Sequence, residues 1–563
     1  MRLWAPSAST VELVTNDGRT SLAPAGCGWF EAAVDLPPGT DYGFSLDGGE
    51  PRPDPASRSQ PHGVHGLSRV VDDVAFPWTD DGWHGFHLPG SVLYELHVGT
   101  FSAEGTFDGA MAHLDHLVAL GVDAVEVMPV AAFDGNRGWG YDGVSLGATH
   151  EPYGGVDGFK RFVDAAHARG LGVILDVVYN HLGPTGAYLH ELGPYFSEHH
   201  RTPWGAGLNL DGDGSGEVRR FVIQNALVWL REHHLDGLRL DAVHALADTS
   251  PTHLLAELAD AVHAESAHVG RPLWLIAEDD TRDTRLVSAR EAGGMGLHAV
   301  WADDVHHALH VLLTGEQHGY YEGYGKVADL VAALRDAFIS APVGDLPRDR
   351  FVICSQNHDQ IGNRAAGDRL VHLVGVELSK VAAAIVLLAP GTPLLFMGEE
   401  WGASTPFPYF AGERGAELDN AVREGRQQEF AAFGWRPDAV PDPVDPATFE
   451  AARLRWGEQE LQPHAELLAW YRALLALRRR VPALTDPRAD RMHIRFDESE
   501  RWLVLTRSEI EIAINVAEAP AHVPVGGDVV LASAPTQPPA DGALTLPGRS
   551  VAVLARLTPS PPG

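Results

Sequence analysis

Residues 173–181 read VILDVVYNH, an apolar run that is interrupted by a single aspartate, Asp176, and that ends in polar residues. A strand of this composition does not fit a sheet with one face in water, because its residues are apolar on both faces. Such strands are typical of parallel sheets that are covered on both sides. The segment therefore predicts a buried strand of a parallel sheet in an α/β protein.

The same kind of run recurs along the chain, in alternation with segments of helical periodicity. Phe159, Phe162, Val163 and Ala166, for example, follow the i, i+3, i+4, i+7 spacing of an amphipathic helix. This alternation is typical of β-α units around a parallel sheet. Eight strand candidates occur, the number that closes a (β/α)8 barrel, or TIM barrel. They are Val92–Val98, Val122–Val127, Val173–Val178, Leu238–Val243, Leu273–Ala277, Leu297–Trp301, Phe351–Cys354 and Pro393–Met397.

The regions on either side of this alternation indicate two further domains. Residues 1–80 contain short β-rich runs separated by Gly, Pro, Asn and Asp turn signals, which predicts an N-terminal, sandwich-like β domain. Residues 91–486 are assigned to the barrel and its loop insertions. Residues 487–563 lack helical periodicity, and we expect an antiparallel C-terminal β domain there. Its predicted strands are Met492–Phe496, Trp502–Arg507, Glu509–Val516, Val529–Leu531, Ala543–Leu546 and Val551–Leu557.

The composition excludes several classes of partner. The chain carries 42 basic and 76 acidic side chains, a formal net charge of −34, and such a surface repels nucleic acids and anionic membranes but not a neutral sugar. Two cysteines are too few for a disulfide framework. The opening MRLWAPSAST lacks the charged and apolar regions of a signal peptide, and no run of 18 apolar residues is present. We therefore expect a cytoplasmic protein without a nucleic-acid or membrane partner.

Ionisable residues follow four of the eight predicted strands. In TIM barrels, catalytic residues lie where the strands end and the βα loops begin. A buried carboxylate without a partner costs roughly several kcal/mol, so stability does not explain three strands that each end in one. The four segments are DVVYNH (176–181), DGLRLDAVH (236–244), LIAEDD (275–280) and SQNHDQIGNR (355–364).

Two of these carboxylates suffice for retaining hydrolysis of a glycosidic bond. That mechanism uses one carboxylate as nucleophile and another, about 5 Å away, as acid and base. Arg239 lies two residues before Asp241 and therefore on the same face of the strand, where its charge favours the ionised form that a nucleophile needs. Glu278 follows an apolar run that would raise its pKa toward that of a working acid. A third carboxylate could bind ring hydroxyls and favour distortion of the sugar.

The four segments match, in order and in barrel position, the four sequence regions of the α-amylase family of glycoside hydrolases. The chain resembles that family over the whole barrel. The resemblance implies that Asp241 is the nucleophile, that Glu278 is the acid and base, and that Asp359 is the third carboxylate. It also implies that Tyr141, in GWGYD (138–142), is the aromatic platform under the scissile glucose. The other residues implied to line that subsite are His181, Arg239 and His358.

The same resemblance bears on metals and on the leaving chain. Asn180 matches a calcium ligand of many α-amylases, but no partner ligands with suitable spacing accompany it. We therefore expect no metal and no cofactor, with Asn180 and Asp176 bracing the site. His244 is a candidate substrate contact. Val243 stands where many α-amylases have a lysine that contacts the leaving chain, and this departure argues against a plain α-amylase.

Segments outside the four regions narrow the resemblance to one branch of the family. RLWAPSASTVELV (2–14) resembles the β domain that precedes the barrel in glycogen branching enzymes, isoamylases and trehalose-releasing hydrolases. Four further segments resemble the trehalose-releasing hydrolases, and branching enzymes lack the DDVHHALH run of the second. They are PDPASRSQPHGVHGLS (53–68), WADDVHHALHVLLTGEQHGYYEGY (301–324), LDNAVREGRQQEFAAFGW (418–435) and PDPVDPATF (441–449).

This branch of the family implies polar contacts beyond the cleavage point, because trehalose is a non-reducing disaccharide that must be distinguished from ordinary glucan. We expect the loop after the sixth strand to supply them. A solvated acidic loop without a ligand is the alternative for this segment, and a metal cluster is a weaker one. The candidate residues are Asp303, Asp304, His306 and His307, with Tyr320, Tyr321 and Tyr324 stacking on sugar rings.

Three functions remain open. The resemblance implies a retaining hydrolase that cleaves the α-1,4 bond next to the terminal trehalose of maltooligosyltrehalose and releases trehalose and a maltooligosaccharide. A glycogen branching-type α-glucan transferase would use the same chemistry with a sugar as acceptor. A non-catalytic glucan-binding barrel is disfavoured, because all three carboxylates are present. The expected partners are maltooligosyltrehalose and related α-1,4-glucans, made by an upstream maltooligosyltrehalose synthase that this protein need not bind.

Overall fold

A six-stranded sheet precedes the barrel in the computed structural model, which describes residues 1–341, 343–431 and 440–556. Its strand order is β1-β4-β3-β2-β5-β6. Asn16 and Asp17 form the turn between β2 and β3, in which Thr15 pairs with Gly18, and Gly18 takes a positive φ of 137° that favours glycine. The strands are β1 Arg2–Trp4, β2 Val11–Thr15, β3 Gly18–Gly26, β4 Trp29–Glu31, β5 Asp41–Leu46 and β6 Ser68–Arg69.

Eight parallel strands then close into a barrel, which confirms the predicted TIM barrel. The strands β7, β8, β11, β14, β15, β16, β17 and β18 are neighbours in chain order, and β18 pairs with β7 to close the ring. The strands of this region are β7 Leu93–Leu96, β8 Ala124–Val127, β9 Ala131–Ala132, β10 Ser145–Thr149, β11 Gly172–Val177, β12 Phe196–Thr202, β13 Gly205–Leu208, β14 Gly237–Leu240, β15 Trp274–Ala277, β16 Ala299–Trp301, β17 Phe351–Cys354 and β18 Thr392–Phe396.

Helices surround the barrel and bury their apolar faces against it. The predicted helix with Phe159, Phe162 and Val163 is present, and these three side chains are fully buried. The α-helices are α1 Val98–Phe101, α2 Phe107–Met111, α3 Leu114–Leu120, α4 Gly155–His167, α5 Leu189–Leu192, α6 Ser215–Glu232, α7 Leu254–Val269, α8 Asp303–Thr314, α9 Val327–Asp336, α10 His358–Gly362, α11 Leu370–Leu388, α12 Ala416–Ala431, α13 Pro446–Ala451 and α14 His464–Arg480.

The inside of the barrel is apolar at its lower end and charged above it. Because side chains alternate along a strand, the inward face that carries Leu93 in β7 also carries Glu95, and the face that carries Ala124 in β8 also carries Glu126. The charged layer consists of four buried residues, namely Glu95, Glu126, Asp176 and Arg239. The apolar layer below it consists of Leu93, Ala124, Ile174, Ile276, Ala299, Val352 and Leu394, with Phe86 and Leu88 packed against it.

An excursion that the sequence analysis did not predict follows the third barrel strand. Residues 182–214 contain α5 and the hairpin formed by β12 and β13, and we call this segment the insertion. The N-terminal sheet packs against it. The ring of Trp4 meets the ring of Tyr195 edge-on at 5.0 Å, and the backbone N–H of Ser7 donates to the carbonyl of Leu192. The N-terminal sheet therefore contacts a segment that begins at the end of a barrel strand.

A C-terminal β domain completes the fold, as predicted. Five strands form an antiparallel sheet in the order β19-β20-β21-β25-β23, and β22 pairs with β24. The predicted boundaries of the three domains remain predictions. Leu557 of the last predicted strand and residues 432–435 of the segment at 418–435 lie outside the described residues. The strands are β19 Met492–Asp497, β20 Trp502–Arg507, β21 Ile510–Asn515, β22 Ala521–Pro524, β23 Asp528–Ala532, β24 Ala543–Leu546 and β25 Ser550–Ala555.

One helix among the described residues, α11, is long and apolar enough to cross a membrane, with a mean hydropathy of 1.9. Length and composition alone do not separate a membrane span from the core helix of a globular protein. Here 61% of the apolar window is buried, the helix packs against α14, and a non-helical Gly375 interrupts it. We therefore describe α11 as a core helix.

Candidate active site

The four polar segments meet at the carboxyl end of the barrel. Asp241 directly follows β14, and Glu278 directly follows β15. His358 and Asp359 begin α10, four residues after the end of β17, and His181 follows β11. Parallel strands place their carboxyl ends at one rim of a barrel, so four segments that are far apart in the chain contribute to one cleft.

Arg239 connects two of the candidate catalytic carboxylates. Its Nη1 lies 3.0 Å from Oδ1 of Asp241, and its Nη2 lies 2.8 Å from Oε2 of Glu278. Nη1 also donates to both carboxylate oxygens of Asp176, and the guanidinium lies 4.3 Å from the ring centre of Trp301. Burial alone would lower the pKa of Arg239, but Asp176 and Glu278 outweigh it and hold that pKa well above its usual value. The site therefore has a permanent positive charge at its base.

Glu278 is held by the backbone that follows Asp241. The N–H of Ala242 donates to Oε2 of Glu278 at 2.8 Å, and Ala242 takes a positive φ of 40°. That conformation costs a non-glycine residue about 1–3 kcal/mol and persists where neighbouring contacts impose it. Burial raises the pKa of Glu278, Arg239 opposes that rise, and the nearby charge of Asp241 adds to it. The environment therefore favours a protonated Glu278.

Asn180 fixes the other oxygen of Asp241. Its side-chain amide donates to Oδ2 of Asp241 at 2.7 Å and to the Asp241 carbonyl at 3.0 Å. The Asn180 carbonyl oxygen lies within hydrogen-bond distance of Nδ1 of His181. Asn180 thus contacts the candidate nucleophile through its nitrogen. No group of three or more His, Cys, Asp or Glu residues in the described parts of the chain could hold a metal ion; that the protein needs no metal remains a prediction.

His358 lies between two acidic groups and the predicted platform. Its Nδ1 donates to Glu95, its backbone N–H donates to the other Glu95 oxygen at 2.9 Å, and its Nε2 donates to the hydroxyl of Tyr141 at 2.7 Å. That hydroxyl donates to Asp176 at 2.6 Å. Burial alone would lower the pKa of His358, but the carboxylates of Asp359 and Glu95 outweigh it and raise this pKa to about 10. His358 is therefore an imidazolium at neutral pH.

Asp359 is the most accessible of the three candidate carboxylates. Its side chain is 32% exposed, against 12% for Asp241 and 18% for Glu278, whereas Arg239 beneath them is inaccessible. Burial of the Asp359 carboxyl raises its pKa, His358 opposes that rise, and Glu278 adds to it. Three carboxyl groups therefore face the cleft, and the cation that connects two of them does not.

Several residues of this region were missed by the sequence analysis. Glu95 is the partner of His358, and the only sequence signal for it is one acidic residue in the apolar strand LYEL (93–96). Glu126 gives the same signal in AVEV (124–127), and neither of its oxygens has a hydrogen-bond partner. Burial raises the pKa of Glu126 well above its usual value. Trp204, at the tip of the β12–β13 hairpin, stacks on His181 with ring centres 5.5 Å apart.

The predicted loop after the sixth strand is a helix, which corrects the sequence analysis. Asp303 is the first residue of α8 and Asp304 the second, where acidic side chains are stabilised by the helix dipole. Asp304 is buried and binds Arg282 at 2.7 Å, the Tyr324 hydroxyl at 2.9 Å and the Ile339 N–H at 2.7 Å. The carboxylate of Asp304 therefore binds other groups of the protein, contrary to the expectation that it contacts the sugar.

The remaining candidates of this segment divide into buried and accessible residues. His306 and Tyr321 are each 2% exposed and hydrogen-bond to each other at 3.2 Å, so the expectation that they contact substrate does not fit their position. His307 stacks on Tyr320 at 5.0 Å, and Tyr320 is 39% exposed. Burial, with Glu278 and Asp359 nearby, raises the pKa of Asp303 to about 8. Asp303 and Tyr320 therefore remain as candidate contacts, and His307, which is only 9% exposed, is the ring on which Tyr320 stacks.

His244 is the remaining candidate contact on this side of the cleft. It is exposed, and its Nε2 lies 3.8 Å from Oδ2 of Asp280. Asp280 follows Glu278 by two residues in the segment LIAEDD (275–280). His244 therefore lies at the rim of the cleft, in a position that a long substrate could reach.

Comparison with known proteins agrees with this geometry. Residues 59–202 match the alpha amylase catalytic domain, and residues 487–553 match a domain of unknown function, DUF3459. A solved structure from Salmonella typhimurium, described as a candidate alpha amylase, covers 99% of this chain and 97% of its own, with a TM-score of 0.88 and 40% identity. The malto-oligosyltrehalose trehalohydrolase of Arthrobacter ramosus is 48% identical over 98% of both chains. A 1,4-alpha-glucan branching enzyme of Xanthomonas campestris is 29% identical over 76% of this chain and 64% of its own.

The barrel, its four polar segments and the three clustered carboxyl groups define a glycoside hydrolase of the α-amylase family. At 48% identity over 98% of both chains, the relationship is close enough to assign a family within that class. The chain belongs to the malto-oligosyltrehalose trehalohydrolase family.

Proposed function

We propose that this protein cleaves the α-1,4 bond next to the terminal trehalose of maltooligosyltrehalose, with retention of configuration, and releases trehalose and a maltooligosaccharide. The observation that carries the chemistry is the binding of Asp241 and Glu278 by one guanidinium, that of Arg239. Such an arrangement favours a carboxyl separation of about 5–5.5 Å, the spacing typical of retaining enzymes, over the longer spacing of inverting ones.

In the first step Asp241 attacks the anomeric carbon of the glucose at the cleavage point. Glu278 donates its proton to the glycosidic oxygen, which leaves as a hydroxyl of trehalose, and an ester forms between Asp241 and the sugar. Arg239 and Asn180 bind and orient the carboxyl group of Asp241. Asp359 accepts hydrogen bonds from ring hydroxyls and stabilises the positive charge that develops at the anomeric carbon.

In the second step water hydrolyses the ester between Asp241 and the sugar. Glu278, now a carboxylate, takes a proton from the attacking water, and Asp241 leaves as a carboxylate. The change of role has a physical basis in the site. The charge of Asp241 raises the pKa of Glu278 in the free enzyme, and that charge is absent while Asp241 is an ester. The pKa of Glu278 therefore falls in the intermediate, where a base is needed.

The platform and its neighbour bind the glucose at the cleavage point. The ring of Tyr141 stacks on His358, with centres 5.1 Å apart, and its hydroxyl is fixed by His358 and Asp176. An aromatic ring held in this way offers a rigid apolar face to the sugar. The His358 imidazolium and His181 contribute polar contacts to the same sugar.

Recognition of the trehalose unit is assigned to the accessible residues beyond Glu278. Asp303 and Tyr320 are the partly exposed candidates of the 301–324 segment, His307 stacks on Tyr320, and His244 is exposed beside Asp280. A site that hydrogen-bonds the hydroxyl groups of its substrate discriminates well between sugars. A wrong substrate leaves buried polar groups of the site without a partner and therefore binds poorly.

A product assay tests the function. Maltotriosyltrehalose should yield trehalose, and maltopentaose, which has the same number of glucose units, should be attacked much more slowly. Equal rates on the two substrates would contradict the proposal in favour of a plain amylase. Branched product from amylose would contradict the proposal and indicate a glucan transferase. That alternative corresponds to the more distantly related branching enzyme.

The cellular setting is part of the same proposal. The substrate must be supplied by an enzyme that builds trehalose onto the end of an α-1,4-glucan, which is the reaction of a maltooligosyltrehalose synthase. A cytoplasmic location is supported by the cysteines, since Cys27 and Cys354 are both free, as is usual in a reducing compartment.

A further inference from the structure

We propose that Arg52, which forms a β-bridge to Phe44 of the N-terminal sheet, and Glu191 of the insertion form an ion pair that positions Trp204 at the substrate cleft. This ion pair, which we call the Arg52–Glu191 strut, makes the N-terminal sheet a part of the substrate-binding apparatus. The inference rests on the proposed function for its substrate. It assigns positioning residues that lie outside the catalytic cleft.

Trp204 links the insertion to the catalytic residues. It is 52% exposed, although an indole of this size is normally well covered, and its ring stacks on His181 at an angle of 26°. His181 contacts Asn180, and Asn180 donates to Asp241. A single side chain, that of His181, therefore separates the tip of the hairpin from Asn180, which binds the candidate nucleophile.

The other end of the insertion is fastened to the N-terminal sheet. Nε of Arg52 donates to one oxygen of Glu191 at 2.8 Å, and Nη2 donates to the other at 2.9 Å. The same guanidinium lies 4.3 Å from the ring centre of Tyr188, whose hydroxyl is 2.6 Å from Nδ1 of His65. A bidentate pair with a stacked cation is well defined in direction, so the strut fixes the orientation of α5 as well as its distance from the sheet.

The strut lies at the base of the hairpin that carries Trp204. Glu191 belongs to α5, which ends at Leu192, and β12 begins at Phe196. The side-chain amide of Asn209, one residue after β13, donates to the carbonyl of Pro194 at 2.9 Å and so joins the two ends of the hairpin. A shift at the base is therefore carried along two paired strands to the tip. Loosening the strut should displace Trp204 and leave Arg239, Asp241 and Glu278 in place.

The chain offers a matched control for the strut. Arg58 and Glu232 form a second bidentate pair between the N-terminal region and the barrel, at 2.9 and 3.1 Å. Their side chains are 25% exposed, against 32% for Arg52 and Glu191. Glu232 is the last residue of α6 and does not belong to the insertion. Arg58→Ala and Arg52→Ala should therefore lower the stability of the protein to a similar extent. Only Arg52→Ala should also displace Trp204.

The test compares kcat and KM of the full-length enzyme on maltotriosyltrehalose for five variants. Arg52→Ala and Trp204→Ala should each raise KM by about three- to fivefold, with kcat changed less than about twofold, because a partly exposed ion pair and one stacking surface contribute binding rather than bond breaking. Arg52→Lys should recover part of the loss. Arg58→Ala should keep the wild-type KM. The double variant Arg52→Ala/Trp204→Ala should have the KM of Trp204→Ala alone, because the strut acts through that side chain.

Three results would each overturn the strut. The first is a KM of Arg52→Ala equal to that of the wild type. The second is a rise of KM in Arg58→Ala as large as that in Arg52→Ala. The third is a KM of the double variant in which the increases caused by Arg52→Ala and by Trp204→Ala are multiplied. If Arg52→Ala does not fold, Glu191→Gln replaces it, because the amide removes the charge and keeps one hydrogen-bond acceptor. Failure of the proposed function is distinguished at the start, since the wild-type enzyme would then release no trehalose.

Discussion

At the scale of single residues, opposite charges alternate across the barrel beneath the cleft. Glu95 binds His358, His358 binds Tyr141, Tyr141 binds Asp176, and Asp176 binds Arg239. Arg239 then reaches the two candidate catalytic carboxyl groups. Each cation contacts more than one acidic group, so a change at one residue of this chain should alter the ionisation of the next.

Asp241 and Glu278 should fail in different ways when they are replaced. Asp241→Asn removes the nucleophile, and activity should fall by roughly a thousandfold or more on every substrate. Glu278→Gln removes the proton for the leaving oxygen. It should still form the intermediate from an α-glucosyl fluoride, because fluoride leaves without that proton. The measurement is the burst of fluoride released by each variant.

Two results would contradict the assigned roles. One is a Glu278→Gln enzyme that is as inactive on the fluoride as Asp241→Asn. The other is the β-anomer at the new reducing end of the maltooligosaccharide, observed by nuclear magnetic resonance before mutarotation, because a retaining enzyme releases the α-anomer. The unmodified maltooligosyltrehalose serves as the control, since both variants should be nearly inactive on it.

Glu95→Gln should destabilise the protein in a pH-dependent way. The pKa of His358 is raised from 6.5 to about 10 in the folded protein, so its ionisation contributes stability that is fully present below pH 6.5 and is lost as the pH rises through 10. Breaking this buried pair should cost about 3 kcal/mol at pH 7. The difference in the free energy of unfolding between Glu95→Gln and the wild type should become smaller as the pH rises from 7 to 10. Urea unfolding at several pH values measures it.

Glu126→Gln is the matched control for that experiment. Glu126 lies directly opposite Glu95 on the neighbouring strand, and burial raises its pKa well above the usual value. Burial thus favours the neutral form of Glu126, and glutamine is a neutral replacement of the same shape. A loss of stability as large as that of Glu95→Gln, with the same pH dependence, would show that the effect belongs to the whole layer rather than to the contact with His358.

At the scale of elements, helix α8 divides its polar residues between the cleft and the fold. Asp303 lies near Glu278 and Asp359, and their charges, after burial, contribute to its raised pKa. Asp304 points to Arg282 and to the backbone of Ile339. Adjacent residues of a helix point about 100° apart, so one turn can serve both purposes.

The two polar sides of this helix should therefore respond differently to substitution. Asp304→Ala leaves Arg282 without its partner and should lower the free energy of unfolding by about 2–3 kcal/mol, with the preference for trehalose-ended substrates retained. His307→Ala removes the ring that stacks on the exposed Tyr320 and should reduce the ratio of kcat/KM between maltotriosyltrehalose and maltopentaose. Thermal unfolding and the two specificity constants are measured for both variants. A loss of preference in Asp304→Ala with unchanged stability would reverse this assignment.

The sequence predicted the barrel strands well because they are buried on both faces, so that their apolar runs stand out from the helices between them. It failed where the local pattern was weak or ambiguous. The start of α8 was interpreted as a loop because of its charged residues, although Val305, Ala308, Leu309 and Leu312 follow a helical spacing. The insertion is polar and without periodicity, and its position depends on contacts with the N-terminal sheet that no local pattern contains. The hydrogen bond from His358 to Glu95 joins residues 263 positions apart.

At the scale of the whole molecule, the net charge of −34 coexists with a site that uses two buried cations, Arg239 and His358. Acidic groups are plentiful, but in the described parts of the chain no three or more of the His, Cys, Asp and Glu side chains are arranged so that they could hold a metal ion. Arg239 and His358 place two positive charges beneath the cleft.

Activity should therefore survive removal of divalent ions. Oxygen-rich ligand sets are what calcium requires, and Asn180, the one residue that matches a calcium ligand, donates its amide to Asp241. Prolonged dialysis against a chelator should leave kcat and thermal stability unchanged, with an untreated sample as control. A loss of activity that calcium restores would contradict the expectation.

Closure of the barrel also sets an order of events during synthesis of the chain. Strand β7 needs β18 as its second neighbour, and about 300 residues separate Leu93 from Thr392. At roughly 5–20 residues per second, the ribosome takes on the order of 15–60 s to supply that partner. During this interval β7 is an open edge on a nascent polypeptide. Glu95 and Glu126, still in water, then place acidic side chains on the face of β7 and β8 that would otherwise be wholly apolar, and inward-pointing charges of this kind oppose aggregation of unfinished sheets.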